Sequence, residues 1–254
     1  MPQKVPLSVT IITKNEEKRL PDALTSTQEW VDEIIVVDSK STDRTQEIAK
    51  AHGAKVTVHP FEGYGYQKNV AAQLCRNDWI LSLDADECVS PKLRDEIMAL
   101  FQQATLSKYT GYKILFTEQF MGENTNARFT NRMRRIRLYN RNYGQFNACI
   151  AHDLVTVQQG KVGKLKHPII STSYLSWHQG LAKLNDYSDK LAQVAFEKGE
   201  KPSTVKIIFT PFFHFCKIYF LKGYWRGGLN GVNLTTKPNG LISQREETNQ
   251  ACRV

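Results

Sequence analysis

Apolar positions along this chain come in short runs divided by polar ones, and their periods sort them into elements. "PLSVTIITKN" is apolar throughout its centre and predicts a buried strand over residues 6–12. "EEKRLPDALTSTQE" predicts a helix with Pro21 near its start or kinking it. "VDEIIVVD" predicts a second strand. "SKSTDRTQEIAKAHG" then predicts a helix, with Ser41 and Thr42 supplying cap chemistry and Gly53 standing where it stops. "AKVTVHP" reads as a third, shorter strand. After the glycine-containing loop "FEGYGYQ", "KNVAAQLCR" reads as a helix. "DWILSLDAD" is a fourth strand, and "SPKLRDEIMALFQQ" opens a helix with Pro91 at its first position.

This alternation of strand and helix with short connections predicts an α/β fold with a mostly parallel sheet and flanking helices. Such sheets bind ligands beyond the carboxyl ends of their strands. The polar residues follow that rule: Thr13 and Asn15 close the first strand, Asp38 the second, Asp84 and Asp86 the fourth. The second half is less regular. "YTGYKILFTEQF", "MRRIRLYN" and "AHDLVTV" alternate like strands, and "SWHQGLAKLNDYSDKLAQVAFEKG" predicts a helix. The apolar stretch at 203–222 is broken by Lys206, Pro211, His214 and Lys217, too often for a transmembrane helix. It suits either an amphipathic segment on a membrane surface or a helix packed on the domain.

Composition narrows the picture. With 254 residues and 41% hydrophobic content the chain can bury a sizeable core. Five scattered cysteines without CxxC spacing argue against a disulfide scaffold or a zinc site and fit a reducing cytosol. The opening "MPQKVPLSVTII" lacks the apolar core and cleavage site of a signal peptide and reads as a first core strand. The formal charge is +9, and residues 126–142 hold six arginines and no acid, so the remainder carries only +3. That basic run suits phosphate, an acidic glycolipid or nucleic acid.

The acids carry the chemistry. Strand alternation would put Asp84 and Asp86 on one face, where paired oxygen ligands suit Mg2+ or Mn2+ with a substrate phosphate. Glu87 would point off that face and merely favour the following helix. Asp38 can accept the imide N–H of uracil or ribose hydroxyls. Asp43 reads as a helix-start residue. The glycines of "FEGYGYQKN" allow backbone to approach a phosphate or make turns, and Lys68 is near enough in sequence to assist.

"SVTIITKNEE", "EIIVVDSKSTDRT", "YGYQKNVA" and "WILSLDADE" together resemble, in order and spacing, family 2 inverting glycosyltransferases with the GT-A fold. Within that family the run is most similar to the inner-core β-1,4-glucosyltransferases of lipopolysaccharide and lipooligosaccharide, which move glucose from UDP-glucose to a heptose. The resemblance implies that Thr13, Glu17 and Asp38 line the nucleoside pocket. Asp84 would contact ribose or metal-bound water, and Asp86 would bind the metal. Arg135 and Arg137 would sit near the diphosphate or an acidic acceptor. Asp153, after His152, would be the general base in place of the usual glutamate, with Glu118 and Glu123 next in line. The resemblance divides the chain into a nucleotide-sugar-binding half (1–105), an acceptor-binding half (106–180) and C-terminal helices that suit a membrane surface (181–233), while the polar composition of 234–254 reads as a disordered tail. A nucleotide-sugar donor, a lipid-linked acceptor and a place on the cytoplasmic face of the inner membrane follow from the resemblance.

Two departures stand out. "HPIISTSY" offers Ser171 and Thr172 where similar proteins have a histidine, and the tail after "GLNGV" turns polar. A polyprenyl phosphate acceptor fits the same donor motifs. A nucleotidyltransferase would need a glycine-rich loop after the first strand, which "ITKNEEKRL" lacks. Nucleic acid would account for the arginines but not for the carboxylates, and no nucleic-acid motif is present.

Overall fold

Nine residues with apolar side chains at alternate or successive positions form the first strand, β1 (Val5–Thr13), and the remaining predicted strands follow it closely: β2 (Val31–Asp38), β3 (Lys55–Val58) and β4 (Trp79–Asp84). The computed structural model describes residues 4–103, 105–120, 134–147 and 154–174, with isolated positions between 199 and 225. Further on come β5 (Glu87–Val89), β6 (Gly111–Phe120), β7 (Arg134–Asn140), β8 (Gly144–Phe146), β9 (Val155–Val157) and β10 (Val162–Tyr174). Eight strands make one sheet in the order β3-β2-β1-β4-β7-β6-β10-β5, and β8 and β9 form a hairpin. From β3 to β4 the strands run parallel; β7 is antiparallel to both β4 and β6, and β5 to β10. The fold is α/β with a mixed, mostly parallel sheet.

Alternation of side chains splits the core between the two sheet faces. Ile34, Val36, Leu81 and Leu83 pack with Leu20 and Leu24 of α1 (Leu20–Thr25), Ala49 of α2 (Thr45–Ala51), and Leu93 and Ile97 of α4 (Pro91–Gln102). Ile35, Val37 and Ile80 face the other way, onto Ala71 and Ala72 of α3 (Tyr64–Gln73) and onto Phe146 and Val155 of the hairpin. Each fully buried side chain of this size contributes about 1.5–3 kcal/mol of transfer free energy, so the parallel half is a firm platform for its carboxyl-end loops.

Local signals are used in three ways. Ser90 caps α4, its hydroxyl accepting the Leu93 N–H at 3.3 Å, with Pro91 next in line as expected. Gly53 follows α2 with φ of 77°, the left-handed conformation that ends a helix. Ser41 and Thr42, by contrast, do not cap α2: Thr45 is its first residue, and both side chains are drawn to Asp38 and Asn15. The helix α3 also starts earlier than residue 68. Gly65 lies inside it, and a β-carbon there would run into the Asn147 carbonyl oxygen, so the glycine permits close packing of helix on hairpin.

The chain divides into two compact units, Met1–Glu118 with Asn131–Ser173, and Gln119–Thr130 with Tyr174–Val254. In the second, a π-helical turn spans Lys217–Leu221, and Phe209, Phe212, Phe213, Phe220 and Trp225 are exposed. Among the described residues no helix is long and apolar enough to cross a membrane. The helix expected within 176–199 lies outside the described residues but for its last position, as does the whole tail at 234–254.

Candidate active site

Register brings the first candidates to one edge. Thr13 lies opposite Asp38 across β1 and β2, and Asp84 lies opposite Ile12 across β1 and β4. All three therefore end their strands on the carboxyl side of the sheet.

Asp84 is held between two buried cations. Its Oδ1 is 2.6 Å from Lys68 Nζ and its Oδ2 is 2.9 Å from Arg137 Nη2. Lys68 and Arg137 are 1% and 2% exposed, and their charged ends lie over the rings of Phe146 and Phe116. An ion withdrawn from water costs several kcal/mol, tolerable here only because each cation meets a carboxylate at hydrogen-bonding distance. Arg137 also meets Glu87 Oε1 at 3.0 Å, while Glu87 Oε2 accepts the Asp84 backbone N–H at 2.9 Å. Burial opposes ionisation of Asp84, yet Arg137 and Lys68 prevail and hold its carboxyl well below the usual range. Glu87 goes the other way. Burial, reinforced by the charge of Asp84, pushes it up to about 8 against the pull of Arg137.

Glu87 thus corrects the sequence expectation. It is not a helix-favouring surface acid: it is 5% exposed and ties Arg137 to the end of β4. Strand alternation does not account for Asp86 either, because β4 stops at Asp84 and Ala85 and Asp86 form a turn. Even so, one ligand atom each from Asp84, Asp86 and Glu87 lies within 4.8 Å of the others. Four of the six carboxylate oxygens in that group are already taken by protein donors. Asp86 differs: its described cation is Arg19, whose Nη1 stands at 3.8 Å. Arg19 is itself gripped by Glu16 through two contacts of 2.6 Å. The main chain of Asp86 is fixed from β10, where Thr172 donates its N–H to the Asp86 carbonyl at 2.8 Å. Of the three acids, Asp86 is the one suited to a hard divalent cation, which binds through one or two carboxylates plus phosphate oxygens and water.

Asp38 is fully buried and saturated. Oδ1 accepts the hydroxyls of Thr13 at 2.8 Å and Ser41 at 2.5 Å; Oδ2 accepts the Ser41 N–H and the Gln46 amide, each at 2.8 Å. A carboxylate offers about four acceptor positions, and all are filled from within the chain. In this structure Asp38 organises the loop after β2. The same loop is laced to the one after β1. Asn15, at φ of 56°, donates its N–H to Ser41 Oγ at 2.8 Å and accepts the Thr42 N–H at 2.9 Å. Glu17 accepts the Arg44 N–H and donates its own to Asp43, both at 3.2 Å. Burial raises the Asp43 carboxyl, but hydrogen bonds from Thr45 and Glu17 outweigh it and leave it below its ordinary value.

Arg135 is half-buried on β7, opposite Ile114 of β6 and two residues from Arg137. Asp153 lies outside the described residues, as does Glu123.

The family model Glycosyl transferase family 2 matches residues 8–156, more than half of the chain. The chain belongs to this family. It is a nucleotide-sugar-dependent glycosyltransferase. An uncharacterized glycosyltransferase of Rickettsia bellii is 36% identical over 233 residues, covering 89% of this chain and 79% of the relative. The lipopolysaccharide core biosynthesis glycosyltransferase LpsC of Rhizobium meliloti is 30% identical over 234 residues, covering 90% of this chain and 86% of that protein. Among solved structures, that of S. aureus TarS aligns with a TM-score of 0.46 and 18% identity over 65% of this chain and 36% of that one.

For a family 2 glycosyltransferase, the matched segment spans all the carboxyl-end loops described above. Sequence reasoning missed Glu87 as an anchor, and it missed Arg19 with Glu16 beside Asp86. The signal for Arg19 was its place one turn after β1; that for Glu87 was the cost of a third acid, which only a buried cation explains.

Proposed function

We propose that this glycosyltransferase transfers glucose from UDP-glucose, with inversion, to a heptose of a lipid-linked lipopolysaccharide or lipooligosaccharide core. The observation that carries the donor half is Asp86 at the carboxyl edge of the sheet, with a ligand atom within 4.8 Å of those of Asp84 and Glu87, the two acids that hold the buried cations Lys68 and Arg137. A diphosphate leaving group needs positive charge fixed in advance, and buried cations on packed elements supply it without reorganisation. Asp86 would hold Mg2+ or Mn2+, which supplies further neutralisation of the departing diphosphate. Thr13, Glu17 and the loop organised by Asp38 form the nucleoside side, with Arg135 and Arg137 toward the diphosphate or an acidic acceptor. Asp153 takes the proton from the acceptor hydroxyl. Support for the core-sugar acceptor comes from the motif resemblance and from the similarity to LpsC. The protein then works on the cytoplasmic face of the membrane that carries its acceptor.

The test is glycosyl transfer from UDP-glucose to core glycolipid by the wild type and by Asp153→Asn. The variant should keep UDP-glucose binding and lose transfer by about 10²-fold or more. Transfer at the wild-type rate would remove Asp153 from the role of base, and wild-type failure with every heptose-containing acceptor would overturn the acceptor assignment.

A further inference from the structure

Three neighbouring strands, β1, β2 and β3, deliver their carboxyl-end loops to the same edge of the sheet as Asp84 and Asp86. The third of these loops is unusual. Phe61, Tyr64 and Tyr66 fall within six positions and are 47%, 51% and 46% exposed, and Val58 just before them is half exposed. Isolated apolar side chains on a surface need no explanation, but a cluster at one edge does. Their rings are ordered against one another rather than against the core: Phe61 meets Tyr64 edge-on at 5.1 Å, and Tyr66 lies 5.7 Å from His59. The segment carrying them is well anchored. His59 donates its N–H to the Asp38 carbonyl at 2.9 Å, and buried Gln67 donates to Ser39 Oγ at 3.0 Å. The aromatic cluster is thus a fixed feature of the rim.

The two adjoining loops add charge. Lys14 and Lys18 after β1, and Lys40 after β2, are exposed and make no ion pair among the described residues. The acids of these loops are engaged elsewhere: Glu16 grips Arg19, and Glu17 and Asp43 accept backbone N–H groups. Glu62, Asp22 in the first turn of α1, and Glu47 in the first turn of α2, which pairs with Arg44 at 2.9 Å, are the exposed acids nearby. Half-exposed tyrosine and phenylalanine beside lysine is the chemistry of a membrane interface, where rings sit at headgroup level and ammonium groups meet anionic lipid.

We propose that this rim, Phe61, Tyr64 and Tyr66 with Lys14, Lys18 and Lys40, is a docking surface for an anionic lipid bilayer. The inference rests on the proposed lipid-linked acceptor, and it assigns the contact to the donor-side loops of the first unit. Because the rim and Asp86 share one edge of the sheet, docking turns the mouth of the site toward the membrane that bears the acceptor. The net charge of +9 favours the same approach.

The test uses the full chain and co-sedimentation with vesicles of phosphatidylcholine alone or mixed with phosphatidylglycerol. Two variants are compared, one with Phe61→Ser, Tyr64→Ser and Tyr66→Ser, the other with Lys14→Glu and Lys40→Glu. UDP-induced thermal stabilisation with Mn2+ is measured in parallel, so that loss of membrane docking and failure of the donor reading are told apart. The wild type should bind the mixed vesicles more tightly than the neutral ones. The lysine variant should lose on the order of ten-fold or more in partitioning to mixed vesicles, since each lysine near such a surface is worth about 1 kcal/mol. The aromatic variant should lose binding to both compositions, and both variants should keep the UDP response. Vesicle binding unchanged in either variant would overturn the proposal, as would a wild type that binds neither composition. If the aromatic variant loses its UDP response while still binding vesicles, the rings serve the nucleotide and the proposal fails. If it loses both, the lysine variant decides, and wild-type vesicle binding by that variant overturns the proposal.

Discussion

At the scale of single residues, the site is governed by who neutralises whom. Asp84 has two cations and Glu87 shares one of them, so Glu87 is the weaker acid of the pair. With its pKa raised, Glu87 is largely protonated near neutral pH, and Arg137 keeps Asp84 without it, so removing Glu87 takes away buried hydrogen bonds to Arg137 and to the Asp84 N–H rather than a lone counter-charge. Glu87→Ala should therefore destabilise the fold by about 1–3 kcal/mol, read as a lowered urea midpoint; an unchanged midpoint would show that Arg137 is satisfied without it. Asp38 gives a second prediction. Asn at this position presents an NH2 group to donors that now point at a carboxylate oxygen, leaving buried groups unpaired. Asp38→Asn should cost about 2 kcal/mol in thermal melts made without any ligand. A variant that melts like the wild type yet fails to bind UDP would instead put Asp38 in the nucleoside pocket. The acids at 84 and 86 were legible because like charges crowded at a strand end demand a counter-charge. The partner of Glu87 was not, because Arg137 lies fifty positions away in sequence and reaches it only once β7 pairs with β4.

Elements decide which of these residues can meet. The parallel half of the sheet was readable from apolar runs and short connections, and its strand ends were placed to within a few residues. What sequence periodicity left open was lateral order. Nothing in "MRRIRLYN" says that this strand inserts beside β4, and that insertion delivers Arg137 to the site. Loop chemistry was also ambiguous, since Ser41, Thr42 and Asp43 have side chains suited equally to caps and to cross-loop bonds. The structure uses them to bind the loop after β2 to the loop after β1. This lacing has a pH dependence. Asp43 has a lowered pKa in the fold, so its contribution is complete above the ordinary carboxylate value and disappears as pH falls through the folded value. Amide exchange at Glu17 and Thr45, whose N–H groups Asp43 accepts, should lose protection over that acidic window. In Asp43→Asn the window should vanish; a variant that retained it would assign the effect to another acid.

At the scale of the whole molecule, a basic chain presents a small acidic group at one edge of its sheet, backed by buried cations. That charge pattern suits a ligand combining a cation with a diphosphate, and it rests on the first unit alone. The central claim is that Asp86, with Lys68 and Arg137 behind it, receives a metal–diphosphate of a nucleotide sugar. Thermal stabilisation by UDP-glucose measures it most directly. A ligand at about one hundred times its Kd adds about 2.7 kcal/mol to stability, which for a chain of this size raises Tm by roughly 5–10 °C. The shift should require Mg2+ or Mn2+, and it should be lost in Asp86→Asn while the unliganded Tm stays near that of the wild type. No shift with UDP-glucose or any other nucleotide sugar, with or without metal, would contradict the account, and a full shift in Asp86→Asn would remove that residue from the metal site.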